Sequence, residues 1–107
     1  MIVKTKKGDL PVRYGMNALA QFGDLTGKSM NVVMASMGEL GDMMLSELLA
    51  FIYAGFKDGA RWAKEECKIE SIEEIGDMID DDAELVSKMF EAFNGDSKEV
   101  EGESKKK

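Results

Sequence analysis

The stretch that most constrains the fold is GMNALAQFGDLTGKS, residues 15–29, because it decides between a nucleotide-binding loop and a helix end. A phosphate-binding loop has four residues between its first glycine and Gly-Lys-Ser/Thr, and it connects a strand to a helix. Only three residues separate Gly23 from Gly27, and the apolar residues before Gly27 recur at helical spacing. The sequence therefore predicts a helix over 15–26 that a left-handed Gly27 ends, with Lys28 near the negative end of its dipole.

Length and composition indicate one soluble globular domain. The chain has 107 residues, of which 44% are hydrophobic and 33% charged, and this length is close to the commonest domain size. No apolar run reaches the roughly 18 residues of a membrane span, and the N-terminus lacks the apolar segment of a signal peptide. Cys67 is the single cysteine, which favours an intracellular setting.

The charge is unevenly distributed along the chain. Residues 1–69 contain nine basic and eight acidic side chains, whereas residues 70–103 contain thirteen acids and two lysines. An acidic half repels phosphate backbones, so nucleic acid is not expected as a partner. The acids can serve as a solvated face, which we favour, or as a docking surface for a basic partner.

The N-terminal residues have the pattern of a β-hairpin. MIVKT and LPVRY are short alternating runs on either side of a turn predicted around Gly8 and Asp9. Pro11 has no amide hydrogen for a ladder and predicts an edge strand. A lone hairpin is marginally stable, so we expect it to pack on the helix over 15–26.

The rest of the chain is predicted to be helical. Residues 28–45 are interpreted as a short helix followed by a loop, and a helix with Ser46 as its N-cap is predicted to end near Glu66. The first half of that helix is apolar nearly all round, which predicts burial on several sides, and Trp62 is expected to anchor its polar second half.

Two further helices are expected before a tail. SIEE at 71–74 has the spacing of a capping box, with Ile72, Ile75 and Ile79 as the apolar stripe that follows. The last helix is predicted from Asp81 or Asp82 to Gly95. Its expected inward face consists of Leu85, Val86, Met89 and Phe93. The fold class is thus α+β, an N-terminal β-hairpin packed on a mainly helical domain of four to five helices over 1–95, with a disordered acidic and lysine-ended tail over 96–107.

Signals for enzymatic chemistry are weak. The chain contains no histidine, which removes the commonest general base and most catalytic zinc ligand sets. Cys67 has acidic neighbours that disfavour a thiolate, so it is interpreted as structural or incidental. The acids at 77–84 do not fit a calcium loop, because position six lacks glycine and position twelve lacks glutamate when counted from Asp77. We predict no catalytic site, no cofactor and no metal.

Methionine is the conspicuous excess. Five of the nine methionines fall between residues 30 and 44. Flexible, polarisable side chains can repack against different apolar partners, or they can fill an irregular core, and the pattern does not choose between the two. The candidate partner-binding residues are Met30, Val33, Met34, Met37, Met43 and Met44.

A hairpin followed by VRYGMNALAQFGDLTGKS resembles the start of phage tail assembly chaperones. The matching residues are Tyr14, Gly15, Met16, Ala18, Leu19, Phe22, Thr26, Gly27, Lys28 and Ser29. LLAFIYAGFK at 48–57 and IGDMID at 75–80 are also similar to family segments, so that the resemblance covers about residues 2–93. Gly23 departs from the pattern, since an acidic residue is more usual there.

The resemblance implies a non-enzymatic protein in the cytoplasm of the bacterial host cell. Such chaperones keep the tape-measure protein in solution, help to recruit tail-tube subunits and leave the finished tail. Many have a longer form made by ribosomal frameshifting, and Lys105–Lys107 would fit an A-rich slippery sequence or a plain solubilising tail. The alternatives are a structural or adaptor protein of the phage tail and a small acidic regulator. Self-association is possible, and neither nucleic acid nor a membrane is expected as a partner.

Overall fold

The computed structural model describes residues 2–37 and 43–106, without the side chains of 30, 36, 37 and 96–106. A two-stranded antiparallel hairpin precedes five helices, which confirms the predicted α+β fold. The strands are β1 (Ile2–Thr5) and β2 (Gly8–Pro11). The helices are α1 (Met16–Thr26), α2 (Met30–Met37), α3 (Leu45–Ala63), α4 (Ile72–Asp81) and α5 (Glu84–Lys106).

The hairpin turns earlier than predicted. Thr5 pairs with Gly8, so Lys6 and Lys7 form the turn. The turn lies within the predicted KKGD segment, but the prediction that Gly8 and Asp9 form it is wrong, since both belong to β2. Gly8 follows the turn with a φ of 109°, which glycine adopts without steric cost. The Thr5 hydroxyl donates a hydrogen bond to the Gly8 carbonyl at 2.8 Å. The residue that the pattern placed inside the turn therefore begins β2 instead.

Helix α3 forms the centre of the core. Its Phe51 stacks on Tyr14 with ring centroids 4.5 Å apart and makes edge contacts with Phe22 of α1 and Phe93 of α5. The Tyr14 hydroxyl donates to the Phe51 carbonyl at 3.0 Å, which satisfies its one buried donor. This aromatic cluster joins the segment after the hairpin to three helices, and the nearly all-round burial predicted for the first half of α3 is confirmed.

Two glycines let the segment after β2 cross α3 at close range. A Cβ atom on Gly59 would lie 2.3 Å from the Pro11 carbonyl oxygen, and one on Gly55 would lie 2.5 Å from the Tyr14 ring. The Arg13 amide donates to the Gly55 carbonyl at 3.1 Å. The hairpin is therefore held mainly against α3, whereas the sequence predicted α1 as its support.

A buried carboxylate completes this crossing. Asp58 of α3 has a side chain only 1% exposed, and it accepts a hydrogen bond from the Gly15 amide at 3.0 Å. Its two oxygens also pair with Arg13 at 3.3 Å and with Arg61 at 2.8 Å. Burial of a charge is tolerated when it is paired and hydrogen-bonded in this way. We call Arg13, Tyr14, Gly55, Asp58 and Gly59 the hairpin–α3 junction.

The predicted bounds of α3 need correction. The helix begins after Met44, whose amide donates to Glu47 Oε1 at 3.1 Å, so Ser46 is not its N-cap. It ends at Ala63 because Lys64 adopts a left-handed φ of 60° and the Glu65 amide turns back to the Ala60 carbonyl. A glutamate three residues after Met44 thus starts the helix without a hydroxyl cap.

Trp62 does not anchor the second half of α3. Its side chain is 65% exposed, and its ring contacts the Arg13 guanidinium, whose central carbon lies 4.2 Å from the ring centroid. The expectation of an anchor is therefore wrong. The helix is held instead by Asp58 and by its small residues, which leave no room for a large side chain on that face.

Helix α4 begins where predicted, but for a different reason. Ser71 occupies the N-cap position without a side-chain hydrogen bond, and Glu74 forms an ion pair with Lys7 of the hairpin turn at 2.7 Å. That hydrogen bond to the Lys7 side chain lowers the pKa of Glu74. Of the expected stripe, Ile75 is buried and Ile79 packs against the core, whereas Ile72 is half-buried. The prediction of a capping box is therefore wrong: the Ser71 side chain makes no cap hydrogen bond, and Glu74 pairs with Lys7 instead.

Helix α5 starts at Glu84, two to three residues later than predicted, and it continues past Gly95 to Lys106. Asp82 ends α4 and accepts from the Glu84 amide at 3.1 Å. One glycine costs about 1 kcal/mol within a helix, too little to end it. The expected inward face is confirmed, with Leu85 and Met89 buried and Val86 and Phe93 partly buried. The disordered tail over 96–107 stays a prediction.

Candidate partner-binding groove

The end of α1 is a helix cap, as the sequence predicted. Gly27 has a left-handed φ of 70°, and the amides of Gly27 and Lys28 both donate to the Gly23 carbonyl. The Thr26 hydroxyl donates to the Phe22 carbonyl at 2.7 Å. The Gly-Lys-Ser segment therefore satisfies orphan carbonyls of α1.

Gly23 brings α2 close to α1. A Cβ atom there would lie 3.3 Å from both the Lys28 carbonyl oxygen and Val33 Cγ2, which is tight for a larger residue. Val33 is 4% exposed and belongs to the core. Glycine at this position, where the family pattern has an acidic residue, thus allows α2 to pack close to α1.

A groove opens between α1 and α2 above Val33. Its volume is about 230 Å³. The residues that line the α1–α2 groove are Met16, Leu19, Ala20, Gly23, Asp24, Lys28, Val33 and Met34. Two of its apolar side chains are well exposed, Met16 at 64% and Met34 at 53%. An apolar groove with an adaptable methionine on each wall can receive an apolar side chain or helix face.

The predicted set of partner-binding residues is divided by the fold. Val33 lies in the floor of the groove and Met34 on its wall. Met44 is 68% exposed at the start of α3, and Met43 packs partly against the core. The side chains of Met30 and Met37 lie outside the described residues. The structure thus brings two of the six together, and partner binding by the set stays a prediction.

Sequence reasoning missed the α1 wall of the groove. Met16, Leu19 and Gly23 recur at spacings of three and four, which places them on one side of a helix. Ala18 and Phe22 mark the buried side of the same helix. This spacing is visible in the sequence of residues 15–26, but the candidate residues were chosen from the methionine-rich residues 30–44 alone.

An ion pair connects the groove to the start of α3. Lys28, which lines the groove, pairs with Glu47, and Glu47 also accepts from the Met44 amide. The hydrogen bond from Lys28, followed by that from the Met44 amide, lowers the pKa of Glu47. This ion pair links the start of α3, where Met44 is 68% and Leu45 71% exposed, to the segment between α1 and α2.

The described residues contain no cluster of three or more histidine, cysteine or acidic side chains that could hold a metal ion. Within the same part of the chain, no helix combines the length and apolar character needed to cross a membrane. Cys67 is half-buried, and its thiol lies 3.5 Å from the Ile69 carbonyl oxygen.

Comparison with known protein families, with curated proteins and with solved structures finds no match to this chain.

Proposed function

We propose that this protein is a non-enzymatic phage tail assembly chaperone that binds the tape-measure protein. The observation that carries the proposal is the α1–α2 groove, in which Met16 and Met34 stay exposed beside a buried floor. The residues of α1 that form one wall belong to the segment that resembles this family. The proposed site is therefore on the part of the chain with the strongest resemblance.

The proposed interaction is a helix in a groove. An amphipathic helix presents apolar residues at every third or fourth position, and its side chains would cover Met16, Leu19 and Met34. Full burial of one methionine contributes about 1.5–3 kcal/mol. Met16 and Met34 are already partly covered, so each would contribute part of this amount, and a modest affinity suits a chaperone that must release its client.

The acidic residues would support this function by keeping the complex in solution. Thirteen acids lie among residues 70–103, and none of those whose side chains are described lines the groove. A high net charge keeps proteins in solution through mutual repulsion. A complex with an apolar client would thus stay dispersed in the cytoplasm of the bacterial host cell while tail-tube subunits are recruited.

The test is co-expression with the tape-measure protein encoded in the same phage or prophage genome. Wild type is expected to keep that protein in the soluble fraction and to co-purify with it. Met34→Glu and Met16→Glu should each reduce co-purification at least tenfold, because a charge would be buried against an apolar client face. Unfolding free energies should stay within about 0.5 kcal/mol of wild type, as for most surface substitutions.

Two control variants complete this experiment. Ile2→Glu changes an equally exposed apolar residue of β1, 59% exposed, and should bind as wild type does. Met34→Leu keeps the apolar wall and should also bind. Folded groove variants that retain full binding would rule out the groove, and a Met34→Glu variant that unfolds would assign Met34 to the core.

The second candidate is a structural or adaptor protein of the phage tail. It would use the same exposed apolar wall, with a permanent partner. Mass spectrometry of purified virions separates the two, since a chaperone leaves the finished tail. The longer frameshifted form is tested by the gene itself, where a slippery heptamer with an open −1 frame beyond it is required.

A further inference from the structure

Trp62 is an exposed aromatic residue outside the proposed groove. Its ring is 65% exposed and is held by the Arg13 guanidinium. Lys57 and Arg61 near the end of α3, and Lys64, the left-handed residue that follows it, are also exposed. We call these three cations the basic stripe.

The basic stripe keeps a positive charge after its internal pairing. Asp58 pairs with both Arg13 and Arg61, so two guanidinium groups face one carboxylate. Lys57 lies 5.7 Å from the Tyr53 ring centroid, a contact that leaves its charge uncompensated. Lys57 and Arg61 also line a cleft of about 310 Å³ between α1 and α3, together with Asn17, Gln21 and Glu65. Glu65 is the one exposed acid in that lining, so the cleft wall is cationic on its α3 side.

Helix α4 carries a stripe of the opposite charge. Glu73, Asp77 and Asp80 are exposed and lie at positions i, i+4 and i+7. Each of the five ion pairs formed by described residues involves other acids. The three acids of this stripe are therefore exposed and outside those ion pairs, whereas Arg61 of the basic stripe is exposed but pairs with Asp58.

The two stripes have the same number of charges at the same intervals in the sequence. The acidic stripe lies on seven residues of helix, about 10.5 Å, and the basic stripe has Lys57 and Arg61 on α3 with Lys64 just past its end. Opposed charges at matched spacing select one alignment of two surfaces and speed their encounter. Tryptophan and arginine are the residues that most often carry binding energy at protein interfaces, and Trp62 with Arg13 lies beside the basic stripe.

We propose that a second copy of this chain docks its acidic stripe against the basic stripe and Trp62 of the first. The occupant is a copy of the same chain because the chain itself supplies a surface of complementary charge and equal spacing. Each copy has one surface of each kind, so a pair joined twice about a two-fold axis and an open series of copies are both compatible with the contact. The proposal concerns a different face from the groove and does not depend on it.

A charge-swap experiment tests the contact. Lys57→Glu with Lys64→Glu makes the basic stripe acidic, and Glu73→Lys with Asp80→Lys makes the acidic stripe basic. In sedimentation velocity at concentrations up to about 1 mM, wild type should associate and each double variant alone should stay monomeric. An equimolar mixture of the two variants should associate again, because each then offers the surface that the other lacks.

Two more variants sharpen the result. Lys4→Glu with Lys6→Glu changes the net charge by the same amount on the hairpin and should associate as wild type does. Trp62→Ala should weaken association about tenfold or more, the effect of a side chain that contributes about 1.4 kcal/mol. Circular dichroism verifies that each variant is folded. Monomeric wild type at every concentration, unchanged association of the double variants, or a mixture that stays monomeric would overturn the proposal.

Discussion

The hairpin–α3 junction and the α1–α2 groove are built from similar residues and differ in what they leave exposed. At the junction, glycines admit backbone and an aromatic ring, and the buried Asp58 has three partners. At the groove, one glycine admits Val33, but Met16 and Met34 remain more than half exposed. A glycine permits a close approach in both places, but the junction is fully packed and the groove keeps exposed apolar side chains.

The difference separates stability from binding. A fully packed crossing with satisfied polar groups contributes to the free energy of unfolding, and it has no surface to offer a partner. An incompletely covered apolar wall contributes less to stability and is available to a partner. We therefore expect substitutions at the junction to unfold the protein and substitutions in the groove to leave it folded.

The largest effect is expected from Gly59→Ala. The new methyl group would meet the Pro11 carbonyl 2.3 Å away and Val12 Cα 2.6 Å away, and backbone cannot move aside as a side chain can. We expect a loss of about 3 kcal/mol, at the upper end for an overpacked core, measured by urea denaturation. Gly95→Ala, which meets nothing within 4 Å, should be neutral or stabilising. A neutral Gly59→Ala would contradict the close crossing.

A smaller loss is expected from Asp58→Ala. It would leave the Gly15 amide and the Arg13 guanidinium without their shared acceptor. A buried donor left unsatisfied costs about 1–3 kcal/mol, and the half-exposed arginines can return to water, so we expect about 2 kcal/mol. Asp24→Ala at the groove is the matched control, because Asp24 is exposed. Equal stability of the two variants would remove the distinction between junction and groove.

The smallest effect concerns the ion pair at the groove and depends on pH. The pKa of Glu47 is lowered from its ordinary value of 4.5, chiefly by Lys28. A carboxyl with a lowered folded-state pKa stabilises the protein above its unfolded pKa, and that contribution is lost as the pH falls through the folded value. Glu47→Gln should therefore be less stable than wild type near pH 7, and the difference should shrink at about pH 3.

Urea midpoints at the two pH values measure this difference. Glu91→Gln, an exposed glutamate of α5, is the control and should show no such change. A deficit of Glu47→Gln that is equally large at both pH values would mean that the ion pair with Lys28 contributes nothing. The start of α3 would then be held by packing, as the hairpin–α3 junction is, and not by the ion pair.

Local patterns predicted the elements of this fold well. The Gly27 cap depends only on the conformational freedom of glycine and on apolar spacing before it, so it could be read without tertiary information. The inward face of α5 followed from periodicity in the same way. The lining of the groove was named in part, since Val33 and Met34 were among the candidate residues and Met16 was not.

Predictions that required knowledge of a partner residue failed. Ser71 has the spacing of a capping box, yet Lys7 of the distant hairpin takes the glutamate. Lys28 does follow the end of α1, as predicted, but its ion pair with Glu47 of another helix was not foreseen. Trp62 was expected to anchor the second half of α3, but its side chain is 65% exposed and stacks with Arg13.

The sequence by itself determined the α+β class, the helix-ending role of Gly27 and the chain's acidic second half, because each depends on residues adjacent along the chain. Only the tertiary structure decided that Asp58 is buried between two arginines, that Gly59 admits a backbone, and which methionines face solvent. Those outcomes depend on which helices meet and at what distance, and spacing within one segment carries no information about the segment packed against it.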